Sequence, residues 1–226
     1  MLGVVTGLAV ERDCLQTLPV GDRCSSRCFG PGPAAAEKAA LALLDEGCVA
    51  LLSFGIAGGL DEQLRPGHIL LAEAVVTERE QSFATDAAWR RRLYARLGAT
   101  SGVRQGRLLG SDYPLLSRSA KHAASSRYAV VAVDMESHAV GRAARRSGVP
   151  FMVMRAVADP FDRAIPAWLT TAIDASGKPR ISAVAVGALA HLSDVPRLLR
   201  LARDQRAALR ALRRAAADAG PLFACR

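Results

Sequence analysis

The chain has 226 residues, half of them hydrophobic and only 5% aromatic, with a formal net charge of +9. That length suffices for one large α/β domain with a full core, and no apolar run approaches the roughly 20 residues needed to cross a bilayer. The charge is uneven: residues 197–226 hold eight arginines against two aspartates, +6 of the total, and no basic stripe is interleaved with aromatics, so nucleic acid is not the expected partner.

In chain order, "LGVVTG" reads as a buried strand and "VERDCLQTL" as a short helix. Residues 19–26 are loop-like, and "RCFGPGP" ends a second strand in a Gly/Pro turn. The helical period of "AAAEKAALALLDEG" stops at Gly47, the continuous apolar run "CVALLSFG" predicts a central strand, and "IAGGL" a glycine-rich turn directly after it. "GHILLAEAVV" is a strand, "ATDAAWRRRLYARLG" a helix, and "VRQGRLLGSD" a strand entering a polar turn. "PLLSRSAKHAASS" is helical, with Pro114 in its first turn. "YAVVAVD", "ESHAVGRAARRSG" and "PFMVMRAVAD" then read as strand, helix and strand, and the remainder as mostly helical. Strands apolar on both faces alternate with helices, which requires a sheet covered on each side. Ligands of such sheets sit at the carboxyl ends of the strands. With no internal repeat, linker or low-complexity stretch, residues 1–226 are expected to form a single domain, ending in an Arg-rich helical segment from about residue 181.

The polar residues at the strand ends are the candidates for chemistry. Asp134 and Glu136 follow one strand and open a helix; a carboxylate there complements the helix dipole, and Asp134 is an N-cap candidate. Met135 between them has the character of core filler. Asp159 ends the next strand just before Pro160, a sequence that also starts turns. Arg155, four residues earlier on that strand, needs an acidic partner or several carbonyls if buried. Gly55, Gly58 and Gly59 allow close backbone approach, but "SFGIAGGL" lacks the Lys-Ser/Thr of a P-loop and the full GxGxxG spacing. Glu11, soon after the first strand, reads by itself as a surface carboxylate. The four histidines are scattered, and Ser53 and Ser111 lie outside any GxSxG elbow. The five cysteines, Cys14, Cys24, Cys28, Cys48 and Cys225, are odd in number and form no CxxC pair, which predicts free thiols in a reducing compartment. Cys24 and Cys28 are at most half a metal site, and no metal or cofactor is expected. The opening "MLGVVTGLAVERD" lacks the features of a secretory signal, which predicts a cytoplasmic protein.

Taken together, "VDMESHAVGRAARRSGVPFMVMRAVADP", "SFGIAGGL" followed by "RPGHILLAEAVV", "FGPGPAAAEKAA" and "GVVTGLAVERD" resemble the purine nucleoside phosphorylase and nucleosidase family, in particular the methylthioadenosine/adenosylhomocysteine nucleosidases. The matching blocks span roughly residues 2–162; the Met-Glu pair and the final Asp are their specific part. The resemblance implies a three-layer α/β/α fold with a central mixed, largely parallel sheet, and cleavage of the N-glycosidic bond of an adenine nucleoside with a modified 5′ group. It implies Asp159 as the general acid at purine N7, Glu11 as the group that orients or deprotonates water, and Met135 and Glu136 on the ribose hydroxyls. Ala57 and Gly58 would line ribose and base, and the turn carrying Ser111, Tyr113 and Leu115 would flank the base. Two departures concern the nucleophile and the base. Ser53 and Ile56 stand where phosphorylases of the family carry phosphate contacts, with Arg12 as a substitute contact, and Glu11 would repel phosphate, which favours water over inorganic phosphate as co-substrate. The aromatic of the "SD" turn is displaced to Tyr113, beside Pro114, which has no N–H.

The Arg-rich end also resembles the hopanoid-associated phosphorylase branch, which implies a lipid-linked, adenosyl-hopane substrate. In "RLLRLARDQRAALRALRRA", Arg203, Arg206, Arg210 and Arg213 share one helical face, with Leu198, Leu201, Leu209 and Leu212 towards another. Two uses of that helix stay open: a solvated helix packed on the body, or peripheral contact with an anionic inner membrane surface. A homo-oligomer is expected from the family. The alternative activities are phosphorolysis giving ribose 1-phosphate and, in another class, a non-catalytic nucleoside- or lipid-binding module.

Overall fold

The computed structural model describes residues 1–16, 23–98, 102–166, 168 and 191–225. The expected loop over 19–26 lies partly, and the apolar stretch 181–190 wholly, outside the described residues.

Among the described residues eight strands form one sheet: β1 (Leu2–Val5), β2 (Cys24–Arg27), β3 (Ala50–Gly59), β4 (Ile69–Thr77), β5 (Ser82–Ala84), β6 (Val103–Gly110), β7 (Ala132–Asp134) and β8 (Phe151–Asp159). Among the described residues the helices longer than one turn are α2 (Pro33–Asp45), α3 (Ala87–Leu97), α4 (Arg118–Tyr128), α5 (Ser137–Arg146) and α6 (Val195–Ala219), and a single turn, α1 (Ala9–Arg12), follows β1. Strand β3 is central. One of its edges pairs with β8; the other pairs with β1 over its first half and with β7 at Gly58 and Gly59. Strand β4 pairs with β6 along one edge, and its other edge is shared between the antiparallel strands β8 and β5. Because β6 also pairs with β7, the order β3–β8–β4–β6–β7 closes on itself, with β1 and β2 as an extension. Five of the eight pairings are parallel, so the sheet is mixed and largely parallel, as expected.

The apolar runs of β3 and β8 alternate between two cores. Leu51 and Val153 face α2 and α5, where Ala36, Ala39, Ala40, Ala139, Ala143 and Ala144 keep the helix backbones close to the sheet. Leu52, Phe54, Met152 and Met154 face the other way, onto Trp89 and Leu93 of α3 and the alanine-rich side of α6. Both faces of the central strands are thereby buried, which is why their sequences read as unbroken apolar runs. The chain end is fastened to this second core: Trp89 Nε1 donates to the Phe223 carbonyl at 2.6 Å, and the Phe223 ring packs edge-on against Phe54, centroids 5.6 Å apart.

Three sequence expectations are corrected, and two features are added. The glycine-rich "IAGGL" is no turn: β3 continues through Gly59, because β7 and β8 supply backbone partners on both sides, with a bulge between Ala57 and Gly58. Helix α4 begins at Arg118, after Pro114, capped by Ser117, whose Oγ accepts from Ala120 N at 3.1 Å. The Leu116 carbonyl is instead engaged by Ile165 N at 2.9 Å. Strand β7 has only three residues; Tyr128 closes α4, and Ala129 takes a left-handed conformation, φ +50°, to turn the chain. Strand β5, too short to show a pattern, was not expected. On α6, alanines rather than leucines make most of the seam: Ala208, Ala211, Leu212, Ala215, Ala216 and Ala219 are buried, Leu198, Leu201 and Leu209 are half-buried, and Arg203, Arg206, Arg210 and Arg213 are exposed. Among the described residues no helix is long and apolar enough to cross a membrane.

Candidate active site

The carboxyl ends of β1, β3, β7 and β8 carry Glu11, Ala57 and Gly58, Met135 and Glu136, and Asp159 in turn. Two features bring them together. Parallel pairing sets β1, β3 and β8 side by side with their carboxyl ends in one direction. The antiparallel contact of β7 with β3 then puts Val133 opposite Gly58, while Asp159 lies opposite the same Gly58 on the other edge.

Arg155 organises one half of the site. Its side chain is fully buried, and Nη2 lies 2.6 Å from Asp134 Oδ2 and 3.6 Å from Glu136 Oε2. The same nitrogen donates to Ser53 Oγ at 2.7 Å and Ser137 Oγ at 3.1 Å, and Nη1 donates to the Ile56 carbonyl at 3.4 Å. The Ser137 hydroxyl donates to Asp134, and Asp134 also accepts from Ser137 N, so it caps α5 from two residues before the helix begins its hydrogen-bonded turns. Ser53 is therefore committed to Arg155 and Ser137, not to an open loop.

Glu11 is no surface carboxylate. It is 2% exposed, with Oε2 accepting from Gly7 N (3.0 Å) and Leu8 N (2.8 Å) and Oε1 accepting from Ile56 N (2.8 Å). Burial raises its pKa to about 7, against the lowering effect of Arg155. A carboxyl group that exchanges its proton near neutrality suits a general base. Glu136, also buried, accepts from Gly32 N at 2.9 Å through Oε1; burial raises its pKa and Arg155 opposes the rise. The Arg155 charge is pushed further up: burial works against it, but Asp134, Glu136 and Glu11 outweigh that cost.

This clustering needs bare backbone at two places. A Cβ on Gly55 would meet Arg155 Nη1 and lie 2.5 Å from Glu11 Oε1, and one on Gly7 would lie 2.9 Å from the Glu136 carboxyl group. Gly55→Ala is expected to cost ~1–3 kcal/mol of stability through overpacking, read as a lower urea midpoint, and to displace Glu11; an unchanged midpoint would show that the site tolerates the methyl group.

Asp159 forms the other half. Its side chain is 14% exposed, Oδ2 lies 2.6 Å from Lys121 Nζ, and Oδ1 is buried without a hydrogen-bond partner among the described residues. Burial raises its pKa and Lys121 opposes the rise. Asp159 lies four residues beyond Arg155 on β8, about 13 Å along a strand, with the register shift opposite Ala57 and Gly58 between them, a separation on the scale of a nucleoside.

The turn after β6 is placed less as expected. Ser111 is fully buried, and its hydroxyl lies 2.9 Å from Glu78 Oε1 and 2.8 Å from the Tyr113 carbonyl oxygen, with Tyr113 N donating to it at 3.2 Å. That hydroxyl holds the turn together. Tyr113 is 74% exposed, while Leu115 is partly buried against the apolar cluster that includes Leu109, Ala124 and Val133. Met135 is half-buried between Asp134 and Glu136, and Ala57 is 5% exposed. Arg12, the suggested phosphate contact, is exposed. Among the described residues no group of three or more His, Cys, Asp or Glu side chains is placed to hold a metal ion, and all five cysteines are free.

Sequence reasoning missed Lys121 as a partner of Asp159. A lysine inside "RSAKHAASS" carries no sign of burial, since lysine is almost never fully buried unless paired. It also missed the joint role of Asp134 and Ser137, although Arg155 had signalled that an acidic partner was required.

The sequence profile of the phosphorylase superfamily matches residues 17–190, and the chain belongs to that superfamily. Among solved structures, the fold is similar to futalosine hydrolase of Helicobacter pylori strain 26695, with a TM-score of 0.67 at 16% identity over 95% of this chain and 96% of that one. It is similar to the S-adenosylhomocysteine nucleosidase from Streptococcus pyogenes in complex with 5-methylthiotubericidin, with a TM-score of 0.65 at 17% identity over 70% of this chain and 83% of that one. A third similar structure is the 5′-methylthioadenosine/S-adenosylhomocysteine nucleosidase from Helicobacter pylori with butyl-thio-DADMe-Immucillin-A, with a TM-score of 0.67 at 16% identity over 95% of this chain and 96% of that one. At these identities the likeness shows the fold, which is nucleoside phosphorylase-like. No curated protein sequence matches the chain.

Proposed function

We propose that the chain hydrolyses the N-glycosidic bond of an adenine nucleoside carrying a modified 5′ group. One observation carries this reading: a single buried guanidinium, Arg155, is met by three carboxyl groups, Asp134, Glu136 and Glu11. Cleaving the bond builds positive charge on the sugar and negative charge on the departing purine. An excess of preorganised negative charge beside the sugar stabilises the first, and it repels a phosphate dianion. Glu136 accepts from the 2′- and 3′-hydroxyl groups, with Met135 packed beside the ribose. Glu11, near its titration point, orients water and takes its proton. Asp159 donates a proton to N7, so that the electron pair of the broken bond leaves on a neutral base. Ala57 and Gly58 run beneath ribose and base, and Leu115 and the backbone of the Ser111–Leu116 turn flank the base. The solved relatives named for modified adenosines support the substrate class.

The 5′ group extends this proposal. The arginines left on the outer face of α6 suit an anionic surface, which is compatible with the lipid-linked substrate and peripheral membrane contact suggested by the hopanoid-branch resemblance. A homo-oligomer that closes the 5′ side is part of the same proposal.

The test is incubation with adenosine, methylthioadenosine and an adenosyl-lipid, with and without inorganic phosphate, reading adenine and the sugar product. Adenine with free sugar at equal rates in both conditions is the expected outcome. Phosphate-dependent formation of a sugar 1-phosphate would replace hydrolysis by phosphorolysis, and adenine binding without turnover of any nucleoside would favour a binding module.

A further inference from the structure

Lys121 has no place in the chemistry derived so far, yet it is the only lysine among the fully buried large side chains of the described residues. Its Nζ donates to Asp159 Oδ2 at 2.6 Å, the Pro160 carbonyl at 2.9 Å and the Arg163 carbonyl at 3.1 Å. With the Asp159 carbonyl oxygen also at 3.4 Å, every polar neighbour of Nζ is an acceptor, which suits the three N–H bonds of an ammonium group, whereas a neutral amine would turn a lone pair towards one of them. Burial lowers the Lys121 pKa, but Asp159 opposes the fall, and this donor geometry keeps the proton on nitrogen. A buried ammonium is costly unless it is paired, and its one charged contact is the group proposed as proton donor.

We propose that Lys121 is a positioning residue for the acid: its ammonium holds the Asp159 carboxyl group in place and stabilises the carboxylate left behind when Asp159 gives its proton to the leaving purine. The inference rests on the assignment of Asp159 as that donor. In the step, the glycosidic pair of electrons moves to the purine, N7 gains the Asp159 proton, the electron pair of the O–H bond stays on the carboxyl group, and Lys121 keeps all three protons. Other charged groups near the pair are already matched: Arg163 lies 3.2 Å from Asp204 of α6 and 3.1 Å from Asp162. His122 of α4 packs its ring 6.3 Å from that of Phe161.

The sign of the effect follows. Lys121 favours the ionised form of Asp159, so removing its charge raises the pH at which Asp159 loses its proton, by ~1–3 units for a close opposite charge. A merely structural tie of the 159–163 segment would lower activity without moving that midpoint.

The experiment is a ¹³C NMR titration of the Asp159 carboxyl group in the wild-type chain, Lys121→Gln and Lys121→Arg, with the signal assigned by its loss in Asp159→Asn. The expected result is an upward midpoint shift in Lys121→Gln and a near-wild-type midpoint in Lys121→Arg. The high-pH limb of adenine release from methylthioadenosine should move with the midpoint. An unchanged midpoint in Lys121→Gln overturns the inference. If Lys121→Gln does not fold, the ¹⁵N signal of Lys121 Nζ in the wild-type chain must move in step with the Asp159 titration, and a flat ¹⁵N response overturns the inference equally. The NMR arms need no substrate, so they fail separately from the proposed reaction, which full turnover by Asp159→Asn would refute.

Discussion

Replacing Asp159 with asparagine is expected to lower kcat for adenine release by ~10²–10⁴-fold, the usual worth of a positioned general acid, with the fold retained. The amide keeps the shape of the carboxyl group and still offers an oxygen to Lys121 Nζ, now 2.6 Å from Asp159 Oδ2, so the Pro160 and Arg163 carbonyl contacts need not change. What is lost is the transferable proton. KM should change little, because the loss is confined to the transition state. Near-normal turnover by this variant, with its circular dichroism and melting curve unchanged, would remove Asp159 from the mechanism.

The second large effect concerns stability. Arg155→Met removes the one cation among the described residues that pairs with Asp134 and Glu136 and faces Glu11. Truncating one partner of a buried ion pair typically costs ~3–5 kcal/mol, because the remaining charge is left uncompensated. The loss should depend on pH in a definite direction. Glu11 already holds its proton up to about pH 7 in the folded chain, against an ordinary value of 4.5, and without Arg155 it holds it longer. Folded carboxyl groups with raised pKa values bind protons that the unfolded chain has released, so stability falls as pH rises through that window and recovers as pH drops. Urea unfolding should therefore show the full loss at pH 8 and a smaller one at pH 5. A loss that is the same at both values, or under ~1 kcal/mol at pH 8, would mean that the acids do not depend on Arg155.

Much of the fold was legible because the physics was local or periodic. The unbroken apolar runs of β3 and β8 could only be buried on both faces, and Gly47, with its positive φ, marks the end of α2 by its own chemistry. What was misread depended on partners far away in the chain. "IAGGL" looks like a turn until β7 and β8 pair with it, and Pro114 looks like a helix start until Ile165 claims the Leu116 carbonyl. The site divides in the same way. Glu136 and Asp159 announce themselves by following strands, and Arg155 by being a charge inside an apolar strand. Glu11 looks like a surface group until Gly7, Leu8 and Ile56 donate to it, and Lys121 until it meets Asp159 across 38 positions of sequence.

The most direct measurement is a crystal structure of the Asp159→Asn chain with methylthioadenosine bound. The expected result has the 2′- and 3′-hydroxyl groups within hydrogen-bonding distance of Glu136, a water between Glu11 and the anomeric carbon, and purine N7 against the side chain at position 159. A nucleoside seated away from these strand ends, or reversed so that its purine lies against Glu136 and Arg155, would contradict it.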